Sequence, residues 1–127
     1  MRNLILEKSI FVTFEKEGIH CYPDAPEGVE FLKHPHRHMF KFRVAITVSH
    51  NQREIEFILF KRELESLYSA GTLQLDDKSC ETIAEELIEY IDSKYPGRDG
   101  YVEVSEDGEN GALVMWSQPN DCDGSCC

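Results

Sequence analysis

No run of apolar residues in this 127-residue chain approaches the roughly 20 needed to span a membrane as a helix. The first residues, Met1-Arg2-Asn3-Leu4-Ile5-Leu6-Glu7-Lys8, meet charge too early for a secretory signal, so a soluble cytoplasmic protein is expected. Positive charge is scarce as well: 13 lysines and arginines stand against 24 aspartates and glutamates, a formal charge of -11. That balance argues against nucleic acid and against anionic membrane surfaces as partners. Five cysteines without a secretion signal do not suggest a disulfide framework. Cys122, Cys126 and Cys127 crowd the last six residues, where thiolates suit a soft metal ion, although a terminus rich in glycine and aspartate is also what a mobile tail looks like. Repeats at solenoid periods are absent too. The length allows one domain with a real core, expected over residues 1–116, with 117–127 as a tail.

What is present is concentrated at His34-Pro35-His36-Arg37-His38, which holds three of the five histidines. The stretch runs into Phe40, Phe42, Val44, Ile46 and Val48, apolar at every second position, which predicts a strand with one buried face. Residues two apart on a strand point the same way, roughly 7 Å apart, so His36 and His38 can converge on one ligand or metal ion. A polar strand entrance with solvated imidazoles is the plain alternative. Ser9 to Glu15 alternates as an earlier strand, and Gly18 opens an irregular segment that carries two prolines. If the two strands pair antiparallel, this connection returns His20 towards His36 and His38.

Beyond residue 50, Phe57, Phe60, Leu64 and Leu67 recur at helical spacing, and Ser79 caps a second helix with the stripe Ile83, Ala84, Leu87, Ile88 and Ile91. Tyr101–Ser105 and Ala112–Trp116 alternate on either side of a turn-rich segment and predict a hairpin. The order strand, strand, helix, helix, strand, strand predicts an α+β fold: a four-stranded antiparallel sheet with two helices on one face.

This order of elements and motifs resembles the 6-pyruvoyltetrahydropterin synthase and 6-carboxytetrahydropterin synthase family, which has the tunnelling fold (T-fold). The resemblance spans about Ile10 to Val114 and rests on His20, His36-Arg37-His38-Met39-Phe40, Ile55-Glu56-Phe57, Ser79-Cys80-Glu81-Thr82-Ile83-Ala84 and Val102-Glu103-Val104-Ser105-Glu106. It implies zinc on His20, His36 and His38, a pterin or purine-like ligand held by Glu106 and Glu81, and dihydroneopterin triphosphate as substrate. It also implies a homo-oligomer, and four strands with open edges give a reason for one. A carboxylate accepts only, so Glu106 suits the N–H edge of such a ring, while a solvated turn glutamate is its other reading. Three imidazoles with an open fourth position are the pattern of a catalytic zinc.

The chain departs from the family where Glu30-Phe31-Leu32-Lys33 lacks the cysteine and Leu75-Asp76-Asp77-Lys78 lacks the relay histidine. A proton shuttle needs groups that titrate near working pH. Candidates to stand in are Cys21 beside His20, Cys80 in the first turn of the second helix, where the helix dipole lowers a thiol's pKa, and His34. Two further readings stay open: a non-catalytic relative that binds or sequesters the ring, and a small α+β interaction domain.

Overall fold

The computed structural model of the protein describes residues 3–69 and 71–119. Two long strands, β1 (Lys8–His20) and β2 (His36–Val48), pair antiparallel along their whole lengths, from Lys8 opposite Val48 to His20 opposite His36. A short 3-10 turn at Glu30–Lys33 lies in the connection between them. Next come helix α1 (Phe57–Ser66), a two-residue strand β3 (Leu73–Gln74), helix α2 (Cys80–Lys94) and the hairpin of β4 (Gly100–Glu106) and β5 (Asn110–Trp116).

The sheet order is β3-β1-β2-β4-β5, and β3 runs parallel to β1, with Gly18 opposite Leu73 and Ile19 opposite Gln74. The fold is therefore α+β with a five-stranded mixed sheet, which corrects the four-stranded antiparallel sheet expected from the sequence. A two-residue strand has no room to display an alternating pattern, and so β3 reads as loop in the sequence. A second correction concerns β1, which continues through Gly18 to His20 rather than breaking up after Glu15.

Gly18 stays in the strand because its bare Cα makes room for neighbours. A Cβ there would come within 2.8 Å of Leu75 Cδ1 and 3.0 Å of the Phe40 ring. Leu75 is in turn held against the strand by its amide, which donates to the Ile19 carbonyl at 2.9 Å.

Even-numbered residues of β1, β2 and β4 point to one face, and both helices cover that face. Val12, Phe14, Phe40, Phe42, Val44, Ile46, Val102 and Val104 pack with Phe60 and Leu64 of α1 and Ile83, Ala84, Leu87 and Ile91 of α2. Burying each large side chain contributes about 1.5–3 kcal/mol, enough in sum to fix which face is inside. Ser79 caps α2 as its sequence position suggests, its hydroxyl accepting from the Thr82 amide at 3.1 Å. Among the described residues no helix covers the odd-numbered face, and Phe11, Leu113 and Met115 are exposed.

At the end of the sheet away from the histidines, a polar clasp joins the β2–α1 connection to the start of β4. Glu54 accepts from the hydroxyl and amide of Ser49 at 2.5 and 2.9 Å and pairs with Arg98, which also donates to the Thr47 carbonyl at 2.8 Å. The Ser49 hydrogen bonds, with Arg98 behind them, bring the Glu54 carboxyl down to about 2 from the ordinary 4.5.

Two outcomes follow for stability. Gly18→Val forces a branched side chain against Leu75 and Phe40 and is expected to cost roughly 1–3 kcal/mol, read as a lower urea midpoint at unchanged slope. Because the Glu54 carboxyl is depressed on folding, its stabilisation is fully present above about pH 4.5 and is lost as pH falls towards about 2. Urea titrations across that window should show wild type losing stability more steeply than Glu54→Gln; parallel curves would remove the clasp from the acid response.

Candidate metal centre

The open end of the β1–β2 pair brings His20, His36 and His38 together. His20 lies directly opposite His36, while His38 lies opposite Gly18, over whose bare Cα Leu75 and the Phe40 ring close. All three positions belong to the even-numbered face, so the rings stand on the same side as the core. Ring centroids are 4.6 Å apart for His20 and His36, 4.9 Å for His36 and His38, and 5.3 Å for His20 and His38. Phe40, fully buried, closes the bottom of the triangle edge-on, 5.1 Å from His20 and 5.8 Å from His38. Each histidine offers one ring nitrogen, and these three atoms all lie within 4.8 Å of one another.

Nδ1 of every ring is already engaged. His20 Nδ1 lies 3.0 Å from the Lys78 carbonyl, His36 Nδ1 2.8 Å from the His34 carbonyl, and His38 Nδ1 2.8 Å from Asp107 Oδ2. Carbonyl and carboxylate oxygens accept only, so Nδ1 carries the proton and donates in each case. Asp107 is ionised in this role: the Met39 amide first, and then His38, hold its carboxyl below the usual range. A neutral ring protonated at Nδ1 presents a lone pair at Nε2.

For His20 and His38 that Nε2 is buried without a hydrogen-bond partner, while Glu106 sets Oε2 3.0 Å from His20 Nε2 and Oε1 3.7 Å from His38 Nε2. Lone pairs facing a carboxylate repel, and either a proton on Nε2 or a metal ion removes the conflict. Hydrogen-bond acceptors fixing Nδ1 and leaving Nε2 bare are the usual second layer of a histidine metal site. The three histidines can therefore hold a metal ion.

The remaining candidates distribute unevenly around this centre. A cleft of about 520 Å³ is lined by His20, His36, Cys21, Cys80, Glu81 and Glu106. Glu106 ends β4 on the inward face, where Asn110 Nδ2 also donates to it at 3.2 Å. Cys21 is half-buried at the cleft wall, its amide donating to the Asp76 carbonyl at 2.8 Å. Glu81 is exposed at the cleft rim, one residue into α2.

Two expectations change. Cys80 does sit in the first turn of α2, but burial outweighs the helix dipole: with Glu106 and Glu81 adding to it, the thiol is pushed up to about 11. It is a protonated, buried thiol at neutral pH rather than an activated nucleophile. His34 has an exposed side chain and takes part through its backbone carbonyl, which holds the His36 ring. Cys122, Cys126 and Cys127 lie outside the described residues.

Sequence reasoning missed four parts of the site: Asp107, the Lys78 and His34 carbonyls and the Phe40 floor. The floor was legible, since Phe40 continues the even-numbered series of His36 and His38. Asp107 carried only the signal of a turn residue next to Glu106, and a backbone carbonyl carries none.

Fold and site together define an α+β protein with a three-histidine centre at the end of its two longest strands. No protein-family model matches the sequence, and no curated protein matches it. Among solved structures, the chain is similar to an uncharacterized protein from Wolinella succinogenes, with a TM-score of 0.66 at 16% identity over 87% of this chain and 99% of that one. At that identity the likeness is one of fold.

The burial of Cys80 has a chemical readout. In iodoacetamide labelling at neutral pH, followed by peptide mapping, Cys21 should modify readily and Cys80 at least tenfold more slowly, because alkylation runs through the thiolate. Equal rates would mean that Cys80 is neither buried nor held as the thiol.

Proposed function

We propose that this protein is a zinc protein that binds a pterin or purine-like molecule beside the metal and acts on it in the manner of the pterin synthase family its motifs resemble. One observation carries the reading: three imidazoles with Nδ1 tied to oxygen acceptors, two with a bare, buried Nε2 turned to the Glu106 carboxylate. Imidazole suits zinc among several transition metals, and three neutral imidazoles leave the fourth position free for a substrate. Zinc bound there supplies Lewis acidity to a ligand oxygen. The chain's own groups do the rest. Glu106 is placed to accept N–H donors from the ring edge, and the cleft walls from Tyr22, Leu32 and Cys80 limit its width. Dihydroneopterin triphosphate is the substrate that the resemblance suggests.

A second reading, in which the ligand is bound without turnover, is favoured by the state of the thiols. Cys80 is held protonated by burial, and neither Glu30–Lys33 nor Leu75–Lys78 contains the cysteine and relay histidine of the family.

Metal analysis of the purified protein should find about one zinc per chain, lost on His36→Ala or His38→Ala. Glu106→Gln should keep the zinc and weaken a pterin ligand about 10- to 100-fold, the worth of a charge-assisted hydrogen bond of roughly 1.5–3 kcal/mol, measured by calorimetry. Native protein free of zinc would falsify the metal reading. Turnover of dihydroneopterin triphosphate separates enzyme from binder.

A further inference from the structure

We infer that Asp107 is the positioning residue of the metal centre: it sets the tautomer of His38 so that Nε2 is the nitrogen left for the metal. The consequence for metal affinity rests on the metal reading above, whereas the tautomer itself does not.

Of the three acceptors that fix the histidine rings, two are backbone carbonyls, and the third is the Asp107 side chain. Asp107 opens the tight β4–β5 turn at φ +59, followed by Gly108 at φ +75. Aspartate and glycine are among the residues that tolerate such left-handed backbone. Its amide donates to the Met39 carbonyl at 2.8 Å, and Oδ1 accepts from the Met39 amide at 2.9 Å. These two bonds carry the β2–β4 pairing one step beyond Phe40 and Glu106. Held by Oδ1, the carboxylate has one rotational choice left, and Oδ2 meets His38 Nδ1 at 2.8 Å.

Both carboxylate oxygens are therefore committed, each to a donor on the same strand. A carboxylate is the short side chain that offers two acceptors and no donor. Asparagine has the same shape with one acceptor and one donor, so the Met39 amide and His38 Nδ1–H would compete for a single oxygen. Unlike an imidazole, which can become an acceptor by moving its proton, the Met39 backbone amide can only donate. It keeps the oxygen, and the asparagine NH2 then faces His38 Nδ1. The ring answers by moving its proton to Nε2, which closes that nitrogen to a metal while the bond from the residue-107 amide to Met39 is untouched. The same exchange of carboxylate for amide is known to trap a wrong histidine tautomer in the serine protease triad.

The test uses the full chain as wild type, Asp107→Asn and Asp107→Ala. Long-range 15N NMR of the histidine rings, with zinc removed and at about pH 9, above the ordinary imidazole range, should place the His38 proton on Nδ1 in wild type and on Nε2 in Asp107→Asn. Zinc affinity by chelator competition should fall about 10- to 100-fold in Asp107→Asn. In Asp107→Ala, which removes the acceptors without adding a donor, the fall should be smaller. An unchanged tautomer in Asp107→Asn, or an alanine variant that binds zinc as weakly as the asparagine one, overturns the inference, since a purely structural turn residue predicts alanine to be at least as damaging. Should wild type bind no zinc while the tautomer still switches, the metal reading falls and the positioning role stands.

Discussion

Everything at the candidate site depends on the register of the β1–β2 ladder. The thirteen-residue strands pair end to end, and the last rung sets His20 opposite His36. A slip of one residue would move the histidines of one strand to the other face of the sheet. The register is held along the middle of the ladder by the core: Phe14 stacks on Phe42 across the ladder at 4.6 Å, and Val12 pairs with Val44, with α1 and α2 above them. Hydrophobic burial along the strands is thus what converges the histidines.

The same packing explains why imidazoles tolerate this position. His20 is 8% exposed, the buried polar residue among the described core positions. Burying a polar ring is costly unless its nitrogens are paired. The fold satisfies Nδ1 with groups whose positions are set by other elements: the Lys78 carbonyl just before α2, the His34 carbonyl before β2 and Asp107 after β4. Nε2 is left to whatever the centre binds. Such a division rigidifies the rings before a ligand arrives, which lowers the ordering cost of binding.

Around the centre, chemistry is set by burial more than by residue type. Cys80 and Cys21 line one cleft, yet burial and two nearby carboxylates keep Cys80 a thiol, whereas Cys21 is partly open to water. The acidic partners Glu106 and Glu81 that raise the thiol are the same groups available to N–H donors of a ring. An environment that attracts cations and N–H donors is a poor one in which to generate a thiolate.

Much was legible in the residues alone, because periodicity and capping are local. The alternation from Phe40 to Val48, the helical stripe from Ile83 to Ile91, the Ser79 cap and the shared parity of His36 and His38 are all properties of neighbours in sequence. The pairing of His20 with the other two followed once the strands were taken as antiparallel. Tertiary structure decided the rest. Strand β3 is two residues long and exists because Gly18 lets Leu75 and Phe40 close over it. Asp107 lies 69 positions from His38, and the Lys78 carbonyl 58 from His20, so no spacing rule connects them. The Cys80 thiol reversed its expected direction because desolvation depends on what the fold places over a group, which local sequence does not contain.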